Sequence, residues 1–168
     1  MKDTDIELAK QFVTKKFEDA NIKNHFLEVF DILKNEFEID NDKLLTAGLL
    51  HDTLEDTNTT SKEIETLFGK DVAILVEEVS HPKNYTADQK DEYYKKIMSI
   101  SPEAKMIKLA DFTSHLRKFI GSFEGTSDYP KQTTDGYVLR IQSFLEKCPE
   151  SKAKVLVATL ANKLDKYI

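Results

Sequence analysis

The chain has 168 residues, 40% of them apolar, which is enough to bury one core without disulfide or metal staples. Cys148 is the only cysteine, so no internal disulfide can form, and the charge-mixed opening MKDTDIELAK lacks a secretory apolar segment. A net charge of −6 disfavours nucleic acid as a partner and no run reaches the length of a membrane span, so one cytoplasmic domain over 1–168 is expected.

Apolar residues recur at helical spacing from the start. Leu8, Phe12, Val13 and Phe17 predict a helix over 5–18, and Phe26, Val29, Phe30, Leu33 and Phe37 repeat the pattern. A third helix over 42–52 carries Leu44, Leu45, Leu49 and Leu50, and the polar run EDTNTT breaks it. Thr60 with Glu63 has the form of a capping box opening a short helix that stops at Gly69. Residues 71–79 form another helix, closed by His81-Pro82, and a polar helix follows at 87–100. Ser101-Pro102 supplies an N-cap and first-turn proline for a long helix ending before Gly121. The turn-rich stretch GSFEGTSDYPKQTTDG then leads to helices near 137–147 and 151–167. All four prolines fall between segments, so the expected fold is all-α.

The chemistry concentrates in AGLLHDTLEDT, residues 47–57. Neighbouring residues on a helix point about 100° apart, so His51 and Asp52 share a target only at a groove rim or a loosening helix end. One further helical turn puts Glu55 on the His51 side and Asp56 on the Asp52 side. Buried carboxylates need a compensating cation; otherwise they must face water. Taken alone, the His-Asp pair is a solvated helix end. In the long helix Lys108, Asp111 and His115 fall on one stripe, which alone is an ordinary polar row with Lys108 paired to Asp111. His25, in KNHFLEVF, is by itself a surface or half-buried histidine. Together, His25, His51, Asp52 and Asp111 offer two imidazoles and two carboxylates, a mixed set suited to manganese or a related divalent ion.

The order His, His-Asp, Asp resembles the HD metal-dependent phosphohydrolase superfamily. The segments AGLLHDTLEDTNTTSKEIETLFG, VAILVEEVS and SPEAKMIKLAD are similar to the hydrolase domain of the RelA/SpoT alarmone enzymes, above all to their small metazoan-type relatives. The resemblance spans about residues 8–120. It implies a compact helical HD-domain fold holding one manganese ion through His25, His51, Asp52 and Asp111. It also implies that Glu55 and Asp56 orient and deprotonate the attacking water. The implied substrate is guanosine tetra- or pentaphosphate (ppGpp or pppGpp), which loses its 3′ pyrophosphate to leave GDP or GTP. Lys15, Lys16, Lys108, His115 and Arg117 match or lie near positions that contact the nucleotide in such relatives.

The chain also departs from that pattern. Phe112 stands where the family has a basic residue, His115 stands where it has an asparagine, and NIKNHF replaces the usual Pro-Tyr-Ile context of the first histidine. Hydrolysis of a phosphate ester is therefore implied more directly than the identity of the nucleotide. NADPH, through its 2′ phosphate, or another nucleotide is the alternative substrate, and a non-catalytic nucleotide-binding module is the third reading. Iron, cobalt, nickel and zinc also suit the ligand set. Phe119, Phe123, Tyr129 and Tyr137 are expected in the core, His81 in an exposed loop, and the oligomeric state is left open.

Overall fold

The computed structural model describes residues 3–20, 25–83, 86–129 and 136–168, and among them there is no strand. Nor is any helix among these residues long and apolar enough to cross a membrane. The first helix, α1 (Asp3–Ala20), buries the predicted Val13 and Phe17 and half-buries Phe12, but Ala9 turns to the core in place of Leu8, which is exposed. The second predicted helix is not continuous. After α2 (His25–Asp31) the backbone widens into a π-helical turn over Ile32–Glu36, in which the Phe37 N–H reaches back to the Ile32 carbonyl at 2.9 Å. Apolar periodicity does not register one widened turn, because Ile32 and Leu33 within it remain buried.

Helix α3 (Asp42–Leu50) starts where the Asn41 side chain accepts from the Leu44 N–H, and it is buried from Leu44 to Leu50. Each leucine it buries contributes about 1.5–3 kcal/mol. Gly48 permits this depth, since a Cβ there would lie 2.4 Å from Leu33 Cδ1. The chain loosens at His51-Asp52 and turns helical again as α4 (Thr53–Asp56). The Thr53 and Thr57 hydroxyls hold the junction by donating to the Leu50 and Thr53 carbonyls.

Helix α5 (Ser61–Phe68) forms half of the predicted capping box. The Thr60 hydroxyl accepts from the Glu63 N–H at 3.2 Å, whereas the Glu63 carboxylate turns to Lys16, 3.1 Å away. Gly69, at φ 90°, separates it from α6 (Lys70–Val79). Helix α7 (Ala87–Ile97) ends about a turn sooner than predicted. Ser101 caps α8 (Pro102–Glu124), which continues through Gly121 and stops at Gly125, in the left-handed region at φ 75°. Gly121 is thus not a stop. Its missing side chain admits Thr126 and Ser127, whose N–H groups donate to its carbonyl at 2.8 and 3.2 Å. The predicted linker over 121–136 is consequently helix at its start, and its residues 130–135 lie outside the described residues.

Helices α9 (Tyr137–Glu146) and α10 (Lys152–Leu164) close the chain. The core centres on α8, which packs against α10, α6, α2 and α3.

Candidate functional site

His25 opens α2, His51 and Asp52 occupy the α3–α4 junction, and Asp111 lies midway along α8, so packing of these helices brings the four together. Their ligating atoms fall in two groups that share His25. One holds His25, His51 and Asp52, the other His25, Asp111 and His115, with the atoms of each group within 4.8 Å of one another. Between the groups, Asp111 Oδ1 lies 3.0 Å from His25 Nε2 and 4.0 Å from His51 Nε2. His25 Nε2 is also 4.0 Å from Asp52 Oδ2. His115 Nδ1 lies 2.8 Å from Asp111 Oδ1, so the asparagine-to-histidine departure adds a third imidazole at the centre.

His51 tests whether the group suits a metal ion. It is only 1% exposed, and its Nδ1 lies 2.9 Å from the Gly48 carbonyl, an acceptor that fixes a proton on that nitrogen. Nε2 is then left with a lone pair, buried, without a hydrogen-bond partner, and 3.0 Å from Asp52 Oδ1. A lone pair held against carboxylates is unfavourable unless a proton or a metal cation lies between them. Burial opposes a second proton, yet the Asp52 and Asp111 charges outweigh burial and raise the imidazole to about 9. The residues therefore fit a divalent cation, which would take the place of that proton.

The carboxylates are tuned around the same centre. Burial disfavours ionised Asp111, but Lys108 and then His115 hold it well below the usual range. Lys108 is itself buried, with Nζ 2.6 Å from Asp111 Oδ2 and placed over the rings of Tyr93 and Phe112. Burial likewise opposes the ionised form of Asp52, and the His51 charge reverses the balance and lowers it. Asp56 goes the other way. Burial first, then the charges of Asp52 and Glu55, raise its carboxyl, so it keeps a proton more readily.

These groups face a cleft of about 570 Å³. Asp52, Glu55, Asp56 and Asp111 line it, together with Lys108, His115, His81 and Lys90. Tyr93, Tyr94, Phe112, Phe119, Tyr129 and Tyr137 complete the lining, with Tyr93 against His81 and Tyr129 against His115. Phe119, Tyr129 and Tyr137, expected in the core, therefore form a wall of the cleft. Phe123 does not line it and stacks on Tyr167, at 5.4 Å between ring centres.

Of the five positions associated with substrate, Lys108 and His115 line the cleft. Lys15, Lys16 and Arg117 do not. Lys15 is exposed on α1, and Lys16 is engaged by Asn58 and Glu63. Arg117 donates to both Glu36 carboxylate oxygens, at 2.6 and 2.7 Å. His81 corrects the expectation of an exposed loop residue: it is half-buried, its N–H donates to Glu55 Oε1 at 3.0 Å, and its ring pairs with Glu55 Oε2. A pairing between residues 26 apart, one of them in a loop, has no signature in local periodicity.

The HD domain profile matches residues 6–138. The chain belongs to the HD domain family. Among curated HD relatives, the guanosine-3′,5′-bis(diphosphate) 3′-pyrophosphohydrolase MESH1 of Xenopus tropicalis is 43% identical over 112 residues, 66% of this chain and 63% of that one. MESH1 of Danio rerio is 35% identical over 125 residues, 73% of this chain and 64% of its own. The chain thus spans less than two thirds of the length of these relatives. A solved structure of a metazoan orthologue of SpoT that hydrolyses ppGpp superposes with a TM-score of 0.74 at 26% identity, covering 99% of this chain and 94% of that one. The all-α architecture is that of the HD domain.

Proposed function

We propose that this HD domain is a divalent-metal-dependent phosphohydrolase that removes the 3′ pyrophosphate of guanosine tetra- or pentaphosphate, leaving GDP or GTP. The observation that carries the reading is His51 Nε2, buried, with Nδ1 committed to the Gly48 carbonyl, and lying 3.0 Å from Asp52 and 4.0 Å from Asp111, where a divalent cation would displace its proton. The 3′-pyrophosphohydrolase activity of the MESH1 relatives supports the choice of substrate.

In this reading His25, His51, Asp52 and Asp111 would hold one divalent ion, with manganese among those that mixed nitrogen and oxygen donors accept. A bound divalent ion lowers the pKa of water to about 7 and draws charge from a phosphoryl oxygen. Glu55 and Asp56 orient the attacking water and take its proton. Asp56, with its raised carboxyl, is suited to carrying that proton onward. Glu55 is held for its part by the backbone and ring of His81. Lys108 and His115 steady Asp111, and the aromatic wall of Phe119, Tyr129 and Tyr137 offers ring faces to a base.

One observation favours a second substrate. Phe112 is buried against Phe144 and lines the cleft, so the wall is apolar where a basic residue would meet phosphate. The 2′ phosphate of NADPH, or another nucleotide phosphate, is then the ester cleaved at the same centre.

Incubating the protein with Mn2+ and a panel of ppGpp, pppGpp, NADPH and simple nucleotides, with chromatography of the products, tests both. GDP and pyrophosphate from ppGpp, abolished by EDTA and by Glu55→Gln, are expected. Turnover of NADPH alone would select the second reading. Absence of any turnover would leave a nucleotide-binding module.

A further inference from the structure

His25 presents its two nitrogens to two different surroundings. Nε2 faces Asp111 and Asp52. Nδ1 faces the Ser114 hydroxyl at 3.2 Å and the Lys118 ammonium at 3.3 Å. Behind it, Ser114 donates to Glu28 Oε2 at 2.6 Å, and Lys118 Nζ lies 2.7 Å from that same oxygen. Glu28 follows His25 by one turn of α2, while Ser114 and Lys118 are one turn apart on α8, so the contact between the two helices assembles the group. Ser114 is 3% exposed, so water does not readily replace it.

A neutral imidazole carries one proton and offers one lone pair. For Nε2 to give its pair to a cation shared with Asp52 and Asp111, the proton must sit on Nδ1. Lys118 cannot receive that proton, because an ammonium has donors only. Ser114 can. Its own hydrogen is directed to Glu28, which leaves its lone pairs free for the ring. With the proton on Nε2 instead, it points to Asp111 Oδ1 at 3.0 Å, and Nδ1 accepts from Lys118. The same four residues therefore satisfy both tautomers.

We infer that Ser114 and Glu28 are positioning residues that form a relay, His25 Nδ1–H to Ser114 to Glu28, which selects the metal-binding tautomer of His25, and that Lys118 stabilises the competing one. The inference rests on the metal reading given above and extends it to three residues outside the ligand set. Loading a divalent ion then moves the His25 proton from Nε2 to Nδ1 within a prearranged network, without rebuilding it.

Two measurements on the full chain test this. After removal of metal with a chelator, calorimetric titration with Mn2+ compares the wild type with Ser114→Ala, Glu28→Gln and Lys118→Met. Ser114→Ala and Glu28→Gln should weaken binding about 10- to 100-fold. Lys118→Met, which removes the competing donor, should leave affinity unchanged or tighter, an opposite sign that general damage to the fold would not produce. Separately, 15N NMR of the Zn2+-loaded wild type should show His25 Nδ1 as the protonated nitrogen, a readout that needs no variant to fold. A bare Nδ1 in the loaded protein, or equal Mn2+ affinity in all four proteins, would overturn the relay while leaving the metal reading intact. A wild type that binds no divalent ion would remove both.

Discussion

Glu55 on α4 and His81 in the loop after α6 hold each other by two contacts, a backbone N–H donated to one carboxylate oxygen and a ring paired with the other. Burial alone would lower the His81 imidazole, but Glu55 outweighs it and raises the group above its ordinary value. A raised histidine contributes its stability in full below the unfolded value of about 6.5 and loses it as pH rises through the higher folded value. Urea unfolding across this range should therefore show the wild type losing more stability above about pH 6.5 than His81→Gln does. Parallel curves for the two proteins would mean that the pair has no such role.

Lys108 and Asp111 form a buried pair, at 8% and 6% exposure. Lys108→Met removes the ammonium from Asp111, leaving it only the His115 and His25 imidazoles, and should destabilise the metal-free protein by about 3 kcal/mol. Adding Mn2+ should recover part of that loss, because a cation at the centre compensates Asp111 in place of the ammonium. Denaturant titrations with and without the metal read both effects.

Gly48 is packed against Leu33, and its carbonyl fixes the His51 tautomer. Gly48→Ala should cost about 1–3 kcal/mol through overpacking. Leu33 is fully buried and has little room to turn away. Combining Gly48→Ala with Leu33→Val, which removes the clashing methyl, should cost less than the sum of the two single changes. Strict additivity in that double-mutant cycle would rule out the proposed clash.

Arg117 is spent on Glu36 and stands outside the cleft lining. Arg117→Met should leave KM for a nucleotide substrate within about twofold and reduce stability by less than about 1 kcal/mol, since both partners remain solvated. A large rise in KM would return Arg117 to the substrate site.

What the sequence revealed and what it hid divide along physical lines. Helices such as α1, α3 and α8 were legible because their apolar residues recur at helical spacing or follow a capping residue and a first-turn proline. The π-helical turn after α2 was not, since its apolar residues stay buried through the change of pitch. Gly121 was misread as a stop because a glycine needed for close approach and one needed for a left-handed turn are the same letter; only Gly125 has the positive φ. At the site, the proximity of His51 and Asp52 was explicit in their adjacency. The grip of His81 on Glu55 and the Ser114–Glu28–Lys118 network were not, because they depend on which helix faces meet.

Helix α10 lies wholly beyond the residues that match the HD profile, yet it makes the most extensive helix contact with α8, the element carrying Lys108, Asp111, Ser114, His115 and Lys118. The C-terminal helix is thus a brace for chemistry in which it takes no direct part. A truncation there would keep every polar residue of the centre and still let α8 roll on its bed, so a comparison of motifs alone would score a crippled protein as intact.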